Sequence, residues 1–326
     1  MIVLTEVDEG SVVLGEITAS SANSTIVVGV PAYNEEKTIA PVILEAQKYA
    51  DTVVVCDDGS TDLTAQIAER LGAEVVEHRR NLGYGAAIQS LFSRARELNA
   101  DVLVTLDADG QHMPREVPRI VEPILSNIAD VVIGSRMIGG RSTRTMPWHR
   151  RAGVKIITKL VNNTTKHGIK DSQSGFRAYS RKSLDALTIH ENGMGVSTEI
   201  LMNAKKHGLR ICEVSSRCNY HGTLAQTSTY NPVRHGLAVV SSIIKLVVEE
   251  KPLRALGIPG TLFLVVGIAF GAWMLQIYAV AHHVVTNIAL AALAFTMLGF
   301  FSISTAITLY AIKRLAERTN AKNTVP

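Results

Sequence analysis

The chain has 326 residues, with 33 Lys and Arg residues, 29 Asp and Glu residues and a formal net charge of +4. With 47% hydrophobic residues, it is neither a disordered chain nor a small protein held together by disulfides. The length predicts one large domain or two ordinary ones. Cys56, Cys212 and Cys218 form no CxxC pair, which favours a reducing, cytosolic setting for the polar part.

Short apolar strands alternate with helical segments from Ser24 onward. The predicted strands are Thr25–Val30, Thr52–Cys56, Glu74–Glu77, Val102–Leu106 and Val131–Gly134. The predicted helices between them are Glu36–Tyr49, Thr61–Leu71, Gly85–Leu98 and Arg115–Asn127. Apolar strands that alternate with helices predict an α/β fold, in which a mostly parallel sheet is covered by helices on both faces.

Polar segments follow four of these predicted strands. They are Pro31–Glu35, Asp57–Ser60, Asp107–Gln111 and Gly134–Arg136. Because ligands of such sheets bind beyond the carboxyl ends of the strands, we expect the four segments to meet at one edge. The first strand is not followed by GxGxxG, and the sequence contains no GxxxxGK[ST], so dinucleotide and P-loop phosphate sites are both disfavoured.

Asp107 and Asp109 lie two positions apart in the turn after the strand Val102–Leu106. Two carboxylates and the amide of Gln111 are hard oxygen ligands, which suit Mg²⁺ or Mn²⁺. Aspartate is also common in turns, so this pair of residues alone does not identify a metal site. Its place after a buried strand favours a divalent cation, held by Asp107, Asp109 and Gln111, that neutralises a diphosphate.

Residues 255–312 contain no Lys, Arg, Asp or Glu. The polar break His282–Asn287 divides this tract into two apolar runs, residues 256–281 and 288–312. Each run exceeds the roughly 20 residues that cross a bilayer, so we predict a transmembrane hairpin. Two buried core helices of a soluble protein are the alternative interpretation.

Basic residues flank the predicted hairpin at both ends and are absent from its connection. Lys251 and Arg254 precede the first run, and Lys313 and Arg314 follow the second. The positive-inside rule therefore predicts that the polar region and both termini are cytoplasmic, in a multi-pass protein of the cell membrane. Residues 1–24 carry acidic residues and lack a continuous apolar core, so we expect no signal peptide.

A predicted helix, His235–Glu250, precedes the hairpin with apolar residues at three- and four-residue spacing. It can either lie on the membrane surface or pack on the polar domain. The predicted organisation has five parts: an N-terminal extension (1–24), an α/β domain (25–230), a juxtamembrane amphipathic helix (231–254), the two membrane helices (255–312) and a cytoplasmic tail (313–326).

The segment Val131–Lys182 contains twelve Lys and Arg residues and one acidic residue, Asp171, which gives it a net charge of +11. Such a surface can bind a lipid phosphate and anionic head groups, with Arg150 and Arg151 as candidates for the acceptor phosphate. A solvated basic face is the plain alternative. Nucleic acid is not an expected partner, because no aromatic residues are interleaved with the charges.

Six motifs between residues 25 and 220 resemble those of family 2 glycosyltransferases of the GT-A fold. They are PAYNEE, VVVCDDGSTD, NLGYGAA, LDADGQH, GSR and DSQSGFRAY. The chain is most similar to the polyprenyl-phosphate glycosyltransferases related to dolichol-phosphate mannose synthase. The two membrane helices and the segment Asn231–Gly236 resemble the archaeal branch of that group.

The resemblance implies roles for particular residues. It implies that the nucleoside is held by Pro31, Tyr33, Glu35, Cys56 and Asp58. It also implies that the diphosphate and its Mg²⁺ or Mn²⁺ are held by Asp107, Ala108, Asp109 and Gln111, with Arg136 on the sugar diphosphate. By the same resemblance, the residues near the transferred sugar are Asp171, Gln173 and Arg177.

The implied activity is transfer of a hexose or N-acetylhexosamine, with inversion, from a UDP- or GDP-sugar to dolichyl or polyprenyl phosphate for protein glycosylation. The identity of the transferred sugar stays open. Mannose synthases carry an Arg and a Ser-Lys pair in the segment that matches His221–Ser228, which has no Lys or Arg here; this departure favours a UDP-sugar. If the reaction uses a base, the choice between Asp171 and Glu199 also stays open. The oligomeric state stays open as well. Alternatives are a processive polysaccharide synthase, whose second acidic triplet and QxxRW motif are missing, and a non-catalytic nucleotide-sugar-binding scaffold.

Overall fold

The computed structural model describes residues 24–138, 168–218 and 252–323, together with residues 151, 154, 155, 157–159, 161, 162 and 248. Side chains beyond residue 315 are not among those described. The chain divides into two compact units, Met1–Ile243 and Ile244–Pro326. The first contains a seven-stranded sheet, and the second contains two long helices.

The sheet of the first unit is mostly parallel, with strand order β3-β2-β1-β4-β6-β5-β7. Its strands are β1 (Ile26–Ala32), β2 (Thr52–Asp57), β3 (Glu74–Glu77), β4 (Val102–Thr105), β5 (Val131–Ser135), β6 (Arg177–Ser180) and β7 (Ile211–Ser215). Strand β6 runs antiparallel to both of its neighbours, β4 and β5, and all other pairs are parallel. The carboxyl ends of β1, β2, β4 and β5 therefore share one edge.

Helices cover both faces of this sheet. They are α1 (Ile39–Ala46), α2 (Thr64–Arg70), α3 (Tyr84–Glu97), α4 (Val117–Leu125, after a 3₁₀ turn at Pro114–Glu116), α5 (Arg181–Ala186) and α6 (Val196–Lys206). Neighbouring strand residues point to opposite faces, so Val28 lies in the core beneath α1 and α4, and Val27 lies in the core beneath α3, α5 and α6. The sheet is consequently buried on both sides.

The predicted α/β architecture is confirmed, and all nine predicted strands and helices occur with ends shifted by up to three residues. Elements β6, α5, α6 and β7 were not predicted. Strand β6 has only Ala178 and Tyr179 between the polar residues Arg177 and Ser180, so its sequence lacks the valines that mark each of the predicted strands. Of the predicted helix His235–Glu250, only residue 248 is described.

Two helices long and apolar enough to cross a membrane make up the second unit. They are α7 (Ile258–Ala281), which a π-helical turn at Leu253–Gly257 precedes, and α8 (Thr286–Asn323). Within an apolar stretch of 18 residues in each of the spans Leu253–Ala281 and Thr286–Leu315, only 11% and 6%, respectively, is buried. Such exposed apolar surface does not fit the core helices of a soluble protein, and it fits a lipid environment.

Glycine allows the two membrane helices to approach closely. A Cβ at Gly267 would lie 2.6 Å from the backbone nitrogen of Thr296, and one at Gly299 would lie 2.6 Å from that of Leu264. The hydroxyl of Ser302 also donates a hydrogen bond to the Leu256 carbonyl at 2.8 Å. Small residues and interhelical hydrogen bonds are the contacts that hold helices together in lipid.

This packing predicts that Gly267→Val destabilises the hairpin, whereas Gly271→Val does not. A Cβ at Gly271 would meet no described heavy atom within 4 Å, so the second variant controls for the helix propensity of valine. We expect Gly267→Val to lower the free energy of unfolding by about 1–3 kcal/mol, through overpacking. Unfolding of the full chain in detergent micelles, followed by circular dichroism, measures the difference, and equal effects of the two variants would contradict it.

Candidate active site

Loops after β1 and β2 are joined by hydrogen bonds at the carboxyl edge of the sheet. The backbone N–H of Asn34 donates to the Ser60 hydroxyl at 2.8 Å, and the Asn34 side-chain carbonyl accepts from the Thr61 N–H at 2.8 Å. The N–H of Glu35 donates to the Thr64 hydroxyl, also at 2.8 Å. The predicted meeting of these two polar segments is thus confirmed.

The loop after β4 presents Asp107, Asp109 and Gln111 at the same edge. Asp107 accepts a hydrogen bond from the Tyr84 hydroxyl at 3.2 Å, and Asp109 accepts one from the Gln111 N–H at 2.9 Å. Gln111 is buried, and the Cys218 thiol lies 3.8 Å from its side-chain oxygen. One short loop therefore brings together two carboxylates and one amide.

Negative charge accumulates around this loop. Burial and the neighbouring Asp109 carboxylate raise the pKa of Asp107 to about 6, although Arg136 opposes this shift. Burial, together with Asp109 and Asp62, also raises the pKa of Glu35, against a hydrogen bond from Thr38. Carboxylates at the ends of β1 and β4 thus disfavour one another's charged forms.

A divalent cation fits this donor set. Oxygen atoms of carboxylates and amides are the ligands that Mg²⁺ and Mn²⁺ take, and Asp107, Asp109 and Gln111 supply them from a single loop. The mutual repulsion of Asp107 and Asp109 is the second indication, because a bound cation would neutralise both carboxylates. The other carboxylates of the site lie elsewhere on the edge.

Arg136, in the loop after β5, forms a buried ion pair with Asp171. Its Nε and Nη2 atoms donate to the two carboxylate oxygens at 2.7 and 2.9 Å, and its backbone N–H donates at 3.1 Å. Asp171 is 0% exposed and Arg136 is 9% exposed. Burial alone would raise the pKa of Asp171, but Arg136 outweighs it and holds this pKa below its usual value.

Arg177 and Gln173 lie in the segment that leads from Asp171 into β6. Arg177 is 1% exposed, and its guanidinium donates to the carbonyls of Ser172, Ser174 and Ser197 at 2.7 to 3.1 Å. These bonds tie the segment to the start of α6. Gln173 is partly exposed, with its amide 3.5 Å from the Thr198 hydroxyl.

Asp58 fixes the loop between β3 and α3. Its carboxylate accepts the N–H groups of Leu82 and Gly83 at 2.9 and 2.8 Å and a hydrogen bond from His78 Nδ1 at 2.7 Å. Cys56 precedes it with its side chain in the core, where burial raises the pKa of the thiol to about 12. A nucleoside would therefore meet only the main chain at Cys56.

The other predicted site residues divide between the core and the edge. Ala108 is 3% exposed and belongs to the hydrophobic core, and Pro31 is buried within β1. Tyr33 is partly exposed beyond the end of β1. Arg151 is partly buried, and Arg150 lies outside the described residues.

Two further carboxylates position the site by binding the main chain: Glu213, which has no local signal in the sequence, and Glu199, which the sequence offers only as a candidate base. Glu213 in β7 accepts the N–H groups of Lys170 and Asp171, both at 2.8 Å, and so anchors the segment that carries Asp171. Glu199 in α6 accepts the N–H groups of His190 and Glu191. This use of Glu199 is structural, since both of its oxygens bind the main chain.

His112, directly after Gln111, is a further residue of the site. It is 3% exposed and stacks on Phe176 with 5.4 Å between the ring centroids. Its Nδ1 has no hydrogen-bond partner among the described residues. Burial lowers the pKa of this imidazole to about 3, so the ring is neutral.

The family model described as glycosyl transferase family 2 matches residues 27–188. The chain is 33% identical over 222 residues to a UDP-N-acetylglucosamine–dolichyl-phosphate N-acetylglucosaminyltransferase of Methanococcus voltae, covering 61% of this chain and 87% of that protein. It is 32% identical over 221 residues to a dolichyl-phosphate hexose transferase of Haloferax volcanii, covering 67% and 92%.

A solved structure shares the fold of the first unit. It is the glucosyl-3-phosphoglycerate synthase of Mycobacterium tuberculosis in complex with Mn²⁺, UDP-glucose and phosphoglyceric acid. The similarity has a TM-score of 0.54 at 25% identity and covers 73% of this chain and 85% of that chain. The GT-A fold expected from the sequence is thus confirmed.

The Arg136–Asp171 pair predicts a large loss of stability in Asp171→Asn, because the variant removes the carboxylate charge that pairs with this buried guanidinium. We expect a loss of about 3 kcal/mol at pH 7, for removal of the carboxylate that binds this guanidinium through two hydrogen bonds. A carboxylate with a lowered pKa stabilises the fold above about pH 4, and this stabilisation disappears as the pH falls through the folded-state pKa. Acid unfolding should therefore depend less on pH in the variant.

Chemical denaturation between pH 3 and pH 7 measures both effects in the Asp171→Asn variant. Glu45→Gln is the matched control, because Glu45 pairs with an exposed lysine, Lys48, on the surface of α1 and should contribute little. A loss in Asp171→Asn no larger than that in Glu45→Gln would contradict a buried pair.

The raised pKa of Asp107 predicts that Mn²⁺ binding weakens as the pH falls through about 6. Protonation competes with the cation for the same oxygens, so the affinity should drop up to tenfold per pH unit below that value and level off above it. Electron paramagnetic resonance of free Mn²⁺ measures this on the purified chain without donor. An affinity that is the same at pH 5 and pH 7.5 would contradict it, and Asp107→Asn should remove the pH dependence.

Proposed function

Because the chain belongs to glycosyl transferase family 2, we propose that it transfers a sugar from a nucleotide-sugar to dolichyl or polyprenyl phosphate. The acidic loop Asp107–Gln111 beside Arg136 carries the proposal, since this arrangement suits the diphosphate of such a donor. Two relatives named for transfer to dolichyl phosphate support the acceptor. Their names give different sugars, so the proposal covers UDP- and GDP-hexoses and N-acetylhexosamines, with UDP favoured.

The nucleoside would lie over the loops after β1 and β2. Tyr33 and Glu35 are partly exposed there, and Asp58 orders the adjoining loop 82–83. Main-chain groups at Pro31, Cys56 and Ala108 would complete the pocket, because these side chains are buried. The role proposed for Asp58 is thus to shape the nucleoside pocket.

The diphosphate would bind at the loop after β4. Asp107, Asp109 and Gln111 would hold Mg²⁺ or Mn²⁺, which when bound stabilises the charge that develops on the departing nucleoside diphosphate. Arg136 adds a positive charge on the same edge, and Asp171 holds its guanidinium in place. Arg177 would keep Gln173 and its neighbours in position for the transferred sugar.

The acceptor phosphate needs no strong general base. Its second pKa is about 6, so it is largely dianionic at neutral pH and can attack directly. Asp171 is ion-paired with a lowered pKa, and Glu199 binds main-chain N–H groups, so neither suits proton abstraction. Direct displacement by the phosphate oxygen inverts the anomeric centre.

The acceptor lipid places the reaction at a membrane. The α7–α8 hairpin supplies the membrane association, and the basic residues at its two ends favour cytoplasmic termini and a cytoplasmic catalytic domain. Arg150 and Arg151 are the candidates for binding the lipid phosphate, and the product would feed protein glycosylation.

The test is to incubate the purified full chain with dolichyl phosphate and a panel of UDP- and GDP-sugars, and to identify the lipid product by mass spectrometry. One lipid-linked sugar should form, with inverted anomeric configuration by NMR, and it should require Mg²⁺ or Mn²⁺. Hydrolysis of the donor without lipid product, or growth of a polysaccharide, would overturn the proposed acceptor.

In the same assay, we expect Asp109→Ala to lose more than a hundredfold in transfer, because it removes one of the oxygen ligands of the cation. Asp185→Ala is the control, since Asp185 is exposed on α5, outside the proposed site, and should leave the rate unchanged. Full activity of Asp109→Ala would refute the proposed metal site.

A further inference from the structure

Tyr84 is the first residue of α3, and its hydroxyl is the one described hydrogen-bond donor to Asp107. The two residues are 23 positions apart and lie on different elements. A phenol carries its proton at neutral pH, so the Tyr84 hydroxyl can donate to the carboxylate. The hydroxyl occupies one carboxylate oxygen and fixes how the carboxylate is turned.

Gly175 confines the same carboxylate by contact. A Cβ at this position would lie 2.6 Å from each of the two Asp107 oxygens, which is closer than van der Waals contact allows. Asp107 is thus held between a hydrogen-bond donor on α3 and a backbone surface in the segment before β6. This leaves the carboxylate little freedom to rotate.

The position of Tyr84 is itself fixed by contacts on the preceding residues. Asp58 accepts the N–H groups of Leu82 and Gly83. Gly83 adopts φ of 103°, where a Cβ would also lie 2.5 Å from the Asn192 carbonyl, so the turn into α3 requires glycine. The loop that shapes the proposed nucleoside pocket is therefore continuous with the residue that orients Asp107.

A second segment, Glu191 and Asn192, also contacts the start of the helix. The N–H of Gly85 donates to the Asn192 carbonyl at 2.8 Å, and a Cβ on Gly85 would clash with the Glu191 carbonyl. Glu199 in turn holds the N–H groups of His190 and Glu191. Two buried carboxylates, Asp58 and Glu199, thus hold the two segments that contact the first turn of α3.

We propose that Tyr84 is a positioning residue that orients the Asp107 carboxylate for a divalent cation. The inference rests on the proposed metal-dependent transfer and deepens it. Hydrogen bonds to a ligating carboxylate fix its orientation before the cation arrives, and loss of such a partner commonly costs ten- to a hundredfold in metal affinity. Tyr84 acts through Asp107 and needs no contact with the sugar.

The test compares Tyr84→Phe with wild type in Mn²⁺ titrations followed by electron paramagnetic resonance, on the full chain in detergent without donor. Phenylalanine keeps the ring and removes the hydroxyl, so we expect about tenfold weaker Mn²⁺ binding. Transfer should need correspondingly more Mn²⁺ for half-maximal rate, while the rate at saturating Mn²⁺ stays within about threefold of wild type. Tyr49→Phe, at the end of α1, is the matched control and should bind Mn²⁺ like wild type.

Gly175→Ala perturbs Asp107 from the other side and should weaken Mn²⁺ binding at least as much. Wild-type affinity in Tyr84→Phe would overturn the inference while leaving the proposed metal site intact. The inference also falls if Tyr84→Phe lowers the saturated rate and leaves Mn²⁺ affinity unchanged, because this pattern indicates a purely structural effect. Absence of Mn²⁺ binding by the wild type would instead refute the proposed metal site together with this inference.

Discussion

Repulsion among carboxylates at one edge of the sheet is the constraint on which the rest of the site depends. Asp107, Asp109 and Glu35 come from the ends of two neighbouring parallel strands, and their charges oppose one another. The fold keeps them together because β1 and β4 are paired and buried on both faces. A site built in this way favours a cation, because a bound positive charge offsets the repulsion.

The sequence predicts this edge well because each contribution to it is local. Apolar runs mark β1, β2, β4 and β5, and a polar segment follows each of them, so parallel pairing is enough to bring those segments together. The antiparallel strand β6 escaped prediction because it is short and carries Arg177 in place of an apolar residue. Its insertion between β4 and β5 depends on pairings with distant segments, which no local pattern records.

The site residues differ in the same way: some are marked by a local sequence pattern, and others are brought together only by the tertiary structure. Asp107 and Asp109 stand out in the sequence as a pair in a turn, whereas the partners of Arg136 and Asp171 are set by tertiary structure. These two residues are 35 positions apart, and Glu213, which holds the Asp171 segment, lies a further 42 positions along. The family resemblance predicts that Arg136 and Asp171 lie near the substrate, but only the structure shows that they pair with each other. Side chains that act through a second residue have no sequence signal of their own.

Burial of a carboxylate does not by itself indicate function in this protein. Asp58, Asp130, Glu199 and Glu213 are acidic residues that accept main-chain N–H groups, and so they serve to join loops and strands. Asp107 differs, because its one described hydrogen bond comes from a side chain, Tyr84, and its neighbour Asp109 raises its pKa. Main-chain N–H donors stabilise the charges of these four carboxylates within the fold. Among the described residues, Asp107 has no main-chain donor, and a bound cation would stabilise its charge, which supports the metal site proposed at Asp107 and its neighbours Asp109 and Gln111.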